Sequence, residues 1–167
     1  MKIVFLDIDE VLNTFDDVAS GNPDLVIERD SINLVNLLVS NIAEVRFVFS
    51  SSWRQLPYDF IINRKLLAAG FQGKMHDNWR TPMQDIVCRG KHPIPAPTRG
   101  DEIYTWMLDN NFGGSDDKYV IFDDDDNFYP DQNLIKTNPF AGLSIENIEQ
   151  ALQTLCGSAV RCTTAKA

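Results

Sequence analysis

The chain has 167 residues, 44% of them apolar and 23% charged, the size and balance of one globular domain rather than a disordered chain. With 15 Lys and Arg against 24 Asp and Glu, the formal net charge is −9. That leaves no basic field for a phosphodiester backbone, which counts against non-specific nucleic-acid binding, although a small phosphorylated ligand can still be held through a metal ion. No apolar run reaches the roughly 18–20 residues of a membrane-spanning helix, so no membrane partner is expected. The N-terminal stretch carries carboxylates inside its apolar run and is no secretory signal. Cys88, Cys156 and Cys162 lack metal-ligand spacing and read as reduced thiols of a cytoplasmic protein.

The first apolar run, Lys2–Leu6, is nearly continuous, as in a strand covered on both faces. It ends in Asp7-Ile8-Asp9. A helix is expected over residues 31–42, behind Asp30 or Ser31 as cap. The second strand, Val45–Phe49, ends in Ser50-Ser51-Ser52, and a helix from about Tyr58 to Ala69 stops at Gly70. Residues 73–98 hold four of the eight prolines and read as an irregular insertion, at most a small cap or lid. A helix from about Asp101 to Asn110 puts Ile103, Trp106 and Met107 on one face. The third strand, 118–122, runs into Asp123-Asp124-Asp125-Asp126. A last helix, about Ile145 to Leu155, starts at Ser144 and ends before Gly157; residues 158–167 read as a loose tail. The order predicts one α/β domain over residues 1–157, an open, mainly parallel, three-layer Rossmann-like sheet.

In such sheets the ligand crevice lies at the carboxyl ends of the strands. If the three strands are neighbours, one edge gathers two carboxylates, a hydroxyl cluster and further carboxylates. Asp7 and Asp9, two residues apart on extended chain, point the same way. Like charges packed so closely repel in a dry crevice, and an all-oxygen set relieves this by holding a divalent cation such as magnesium. Singly, each cluster has an ordinary reading: a solvated turn, a helix cap, a strand exit with Asx turns. Three clusters, each closing a buried-type strand, point to a metal-assisted site.

These residues resemble the haloacid dehalogenase (HAD) superfamily of phosphohydrolases. The first motif is matched by Val4-Phe-Leu-Asp7-Ile-Asp9-Glu-Val11-Leu, the second by Phe47-Val-Phe-Ser50 and the fourth by Val120-Ile-Phe-Asp123-Asp124. For the basic third motif Arg99 fits best, with Lys91 second. Leu-Asp-Ile-Asp-x-Val-Leu-Asn, Ser-Ser-Trp-Arg and Phe-Asp-Asp-Asp also resemble the small phosphatase domains of bacterial and phage RNA-repair proteins. The likeness spans residues 2 to about 155. Glu10 departs from it, standing where many relatives carry glycine, and an arginine replaces the commoner lysine, which changes donor geometry.

The resemblance implies a magnesium-dependent phosphomonoesterase. Asp7 would be the nucleophile that forms an aspartyl-phosphate, and Asp9 the acid and then the base. Magnesium would be held by Asp7, the Asp9 carbonyl and Asp124, with Asp123, and less so Asp125, orienting its water. Ser50 would hold phosphoryl oxygens and Arg99 would balance charge. Ser51 and Arg54 are candidate substrate contacts. Arg54 either grips a second phosphate or pairs with a surface acid, and Trp53 either stacks on a base or packs in the core. Trp79 and Trp106 read as core, and His76 and His92 as loop residues. The expected partner is a nucleotide-like small phosphate ester or a phosphorylated nucleic-acid end. The alternatives are a non-catalytic metal or phosphate-binding module and an acidic protein-interaction module on the same fold.

Overall fold

The structure is a computed structural model and describes residues 1–20, 26–83 and 97–157, with 88–89 and 92–93 as backbone. In chain order the elements are β1 (Lys2–Leu6), α1 (Phe15–Ala19), α2 (Arg29–Asn41), β2 (Val45–Phe49), α3 (Tyr58–Ile61), β3 (Lys74–Arg80), the short β4 (Cys88–Arg89) and β5 (His92–Pro93), α4 (Arg99–Asp109), β6 (Lys118–Asp123), β7 (Leu134–Lys136) and α5 (Ile145–Cys156). The main sheet has the order β3-β2-β1-β6-β7, and every pairing in it is parallel.

The three apolar runs form its centre because both their faces are covered. Val4, Leu6, Phe47, Phe49, Val120 and Phe122 belong to one core, with Ile32, Val35 and Leu38 of α2, Ile61 of α3 and Ile148, Leu152 and Leu155 of α5. Their alternates Ile3, Phe5, Val48 and Ile121 meet Ile103, Trp106 and Met107 of α4 on the other face, with Phe5 edge-on to Trp106 at 5.2 Å between ring centres. Fully burying each such side chain contributes roughly 1.5–3 kcal/mol. The predicted three-layer arrangement is therefore observed.

Register positions the site. Leu6 lies opposite Phe49 of β2 and Phe122 of β6, so the next residues, Asp7, Ser50 and Asp123, form a row across the carboxyl edge. Backbone bonds extend the row: Asp7 N–H to Phe122 O, 3.0 Å; Ser50 N–H to Leu6 O, 3.1 Å; Thr81 N–H to Phe49 O, 2.8 Å.

Several elements differ from expectation. Lys74–Arg80, inside the stretch read as irregular, is an edge strand. Its pairing slips from Phe47–Met75 to Phe49–Arg80, a bulge that breaks the alternation a strand would show. The helix from Tyr58 turns π-helical over Ile62–Leu66 and stops at Gly70, whose φ of 98° suits glycine. The N-cap of α2 is Glu28, which makes no side-chain cap bond, rather than Asp30 or Ser31. Helix α4 starts two residues early because Thr98 and Asp101 form a reciprocal capping box, which moves Arg99 into its first turn. Ser144 and the left-handed Gly157 bound α5 as predicted. Lys91, Cys162 and the tail 158–167 lie outside the described residues. Among the described residues no helix is long and apolar enough to cross a membrane.

Candidate active site

Asp7 leaves β1 6% exposed. It accepts the Ile8 N–H at 2.7 Å and faces Arg99, whose Nη2 is 3.8 Å from its Oδ2. Burial raises the Asp7 carboxyl above its ordinary 3.8, against the pull of Arg99, the Ser51 hydroxyl and the Ile8 N–H. Asp123, at the end of β6, is wholly buried, and its Oδ2 has no hydrogen-bond partner. Arg99 Nε stands 4.0 Å from that oxygen. Desolvation first and the Asp7 charge second push Asp123 up to about 7. Ligand oxygens of Asp7, Asp123 and Asp124 lie within 4.8 Å of one another. One arginine does not balance three carboxylates at that spacing. A divalent cation would, and the orphaned Asp123 oxygen and all-oxygen donor set fit one.

Glu10 adds charge to the same place. Its backbone is left-handed, φ 60°, which is why glycine suits this position, and a side chain here costs roughly 1–2 kcal/mol. Desolvation and then Asp124, hydrogen-bonded to it, raise its carboxyl to about 7. Asp125 is exposed; its N–H donates to Asp123 Oδ1 at 3.0 Å, an Asx-type turn that fixes the Asp123 carboxylate.

A protonation prediction follows for metal-free protein. Between its ordinary 3.8 and about 7, Asp123 keeps in the folded state a proton that the unfolded chain has lost. Its stabilising contribution is thus full below 3.8 and is lost as pH rises through about 7. A divalent cation held there would take the charged form and compete with that proton. The rise in Tm on adding magnesium is therefore expected to be larger at about pH 8 than at about pH 5, and to lose part of this pH dependence in Asp123→Asn, Glu10 keeping the rest. An equal rise at both pH values would contradict the assignment.

Ser50 is fully buried, and its Oγ lacks a partner, as does Arg99 Nη1. Both are donors left open at the end of the Asp7 row, where a phosphoryl group would be held. Ser51 is buried too; its Oγ accepts the Trp53 N–H at 3.2 Å and caps the short 3-10 turn Ser52–Gln55.

Arg54 is not at the crevice mouth and pairs with no surface acid. It is 4% exposed, donates to the Ser50 and Ser51 carbonyls and forms an ion pair with Glu102 of α4 at 2.6 Å. Its Nη1 and Nη2 are taken by these partners and its Nε is buried without one, so no donor of Arg54 stands at a crevice mouth. It ties the serine loop to the helix that carries Arg99. Removing one partner of a buried pair leaves the other charge uncompensated at a cost of about 3–5 kcal/mol. Glu102→Ala is therefore expected to destabilise the fold by about that amount in denaturant unfolding, and a loss below about 1 kcal/mol would show the pair to be solvated.

Trp53 does not offer its ring face to a ligand: it is 5% exposed and packs in the first core. Its indole N–H reaches Asp9, which sequence reasoning missed, as it missed Asn13, Thr81 and Glu102. Trp106 is core, with its Nε1 on Asn78 O at 2.8 Å. Trp79 is partly buried against Phe49 and Tyr58, and His76 sits on β3 rather than in a loop.

A parallel open sheet that closes its central strands with Asp7, Ser50 and the Asp123–Asp124 pair defines a HAD-like catalytic domain with a candidate divalent-metal site. The family described as the HAD domain in Swiss Army Knife RNA repair proteins matches residues 3–148. The chain belongs to that family, and is an enzyme of the HAD hydrolase type. No curated protein and no solved structure matches the chain significantly.

Proposed function

We propose that the protein is a magnesium-dependent phosphomonoesterase working through an aspartyl-phosphate on Asp7, with a nucleotide or similar small phosphate ester as substrate. The row of Asp7, Ser50 and Asp123, with Arg99 facing two of its members, carries the reading. Asp7 and Asp124 side chains with the Asp9 carbonyl would hold the metal, and Asp123 would support it. When bound, magnesium screens the repulsion between an anionic nucleophile and an anionic phosphate.

The chain's own groups do the rest. Asp7 attacks phosphorus, so that an O–P bond forms as the bond to the leaving oxygen breaks. The electron pair goes to that oxygen, and Asp9 supplies its proton. Asp9 then takes a proton from water, which attacks phosphorus and frees Asp7. Ser50 and Arg99 hold phosphoryl oxygens from donors with no other partner.

A cavity of about 570 Å³ runs along β3 and the end of α4, lined by residues including Asp77, Trp79, Arg80, Thr81, Trp106 and Asp109; Thr81, whose N–H bonds Phe49 O, links it to the row. Its size suits a nucleoside. The net charge of −9 supports a small substrate in a cytoplasmic setting over a long polyanion. A second reading, the phosphorylated end of an RNA, is favoured by the RNA-repair setting of the family.

The test is phosphate release, with magnesium and with chelator, from an aryl phosphate, 5′- and 3′-mononucleotides, sugar phosphates and oligonucleotides phosphorylated at either end. The best substrate separates the two readings. Silence across the panel, with magnesium bound, would refute both and leave a metal- or phosphate-binding module.

A further inference from the structure

We propose that Trp53 is a positioning residue for Asp9, locking the carboxylate that serves as acid and base; this rests on the role given to Asp9 above. The observation is a forked hydrogen bond. Trp53 Nε1 lies 3.0 Å from Asp9 Oδ1 and 3.0 Å from Oδ2, 44 residues away in sequence. A buried tryptophan usually finds a partner for its N–H, and a backbone carbonyl suffices, as Asn78 O does for Trp106. Here the donor is spent instead on a partly exposed carboxylate at the reacting edge.

Asn13 completes the clamp. The Glu10 backbone N–H, which can only donate, lies 2.7 Å from one atom of the Asn13 amide, so that atom is the oxygen. The amide nitrogen must then face the other way, toward Asp9 Oδ1 and Val26 O, each at 3.2 Å. Asp9 Oδ1 therefore has two donors and Oδ2 one. Oδ2 is the oxygen with capacity left to carry the proton.

The clamp matters because Asp9 sits on a turn beyond β1, where its side chain would otherwise sample several rotamers. A donor equidistant from both carboxylate oxygens, with the Asn13 amide on Oδ1, restrains both torsions. The same turn that places Ser50 and Ser51 supports Trp53 through the Ser51 cap, so the phosphoryl grip and the proton donor are held by one local structure. As the phosphorus–oxygen bond breaks, Oδ2 delivers its proton to the departing oxygen only if it is already aimed there.

Leaving-group dependence separates positioning from packing. An alkoxide needs the proton to depart, whereas an activated aryl oxide needs it far less. In addition, kcat/KM reports only the steps through the first irreversible one, formation of the aspartyl-phosphate. Trp53→Phe keeps the ring and removes the N–H. It is expected to lower kcat/KM for an alkyl phosphate about tenfold or more beyond its effect on p-nitrophenyl phosphate, part of the roughly 10²–10⁴-fold that acid–base catalysis supplies. The indole N–H resonance of Trp53 in wild type, assigned by its loss in the variant, is expected to shift in Asp9→Ala. Equal losses on both esters, or a resonance unmoved by Asp9→Ala, would overturn the proposal. If Trp53→Phe does not fold, the wild-type resonance, assigned through the backbone, decides. No turnover in wild type, with the resonance still shifting, would instead overturn the role of Asp9 and the positioning role with it.

Discussion

Asp7→Asn is expected to abolish phosphate release, by at least about 10⁴-fold, the scale set by removing a catalytic nucleophile, while the protein stays folded. The amide has the shape of the carboxyl and still accepts the Ile8 N–H, but its lone pairs are weak nucleophiles and it forms no stable phosphoryl ester. The fold has little to lose, because burial already holds the Asp7 carboxyl above its ordinary range and its charge is one cause of the rise at Asp123. In metal-free protein the substitution therefore removes a repulsion, and Tm is expected to hold or increase. Phosphate assays and thermal unfolding on the same sample check both halves. Turnover near that of wild type would place the nucleophile elsewhere.

Asp9→Asn is expected to cost about 10²–10⁴-fold in kcat/KM on an unactivated ester, the usual share of a general acid. The neutral amide still fills the space between Trp53 and Asn13, but its Nδ2 can only donate, so a donor facing that atom loses its acceptor. A loss below about tenfold would demote Asp9 from the proton-transfer role.

Much of the site was legible because parallel strands in register translate sequence position into spatial position. Each apolar run ends in a chemically distinct residue, and pairing Leu6 with Phe49 and Phe122 is enough to align Asp7, Ser50 and Asp123. What was not legible depends on contacts between distant segments. The Arg54–Glu102 pair joins residues 48 apart, and nothing local to Ser-Ser-Trp-Arg tells a buried guanidinium from one at a crevice mouth. Trp53 reads equally as a core ring or a stacking platform until its N–H is seen on Asp9. Asn13 offered a local signal, a lone amide directly after the apolar Val11-Leu12, four residues from Asp9. Strand β3 was hidden by its polar composition and its bulge, and β7 by having three residues. Arg99 fell inside α4 because the Thr98–Asp101 box starts the helix earlier than the apolar periodicity shows.

The most direct test of the account is a single turnover of the magnesium-loaded protein on a phosphate ester, quenched in acid during the reaction and mapped by peptide mass spectrometry. One added phosphoryl group, transient and acid-stable, is expected on the peptide containing Asp7, and none in Asp7→Asn. Full turnover with no phosphorylated peptide at any time would contradict covalent catalysis by Asp7 and leave direct attack by water as the reaction.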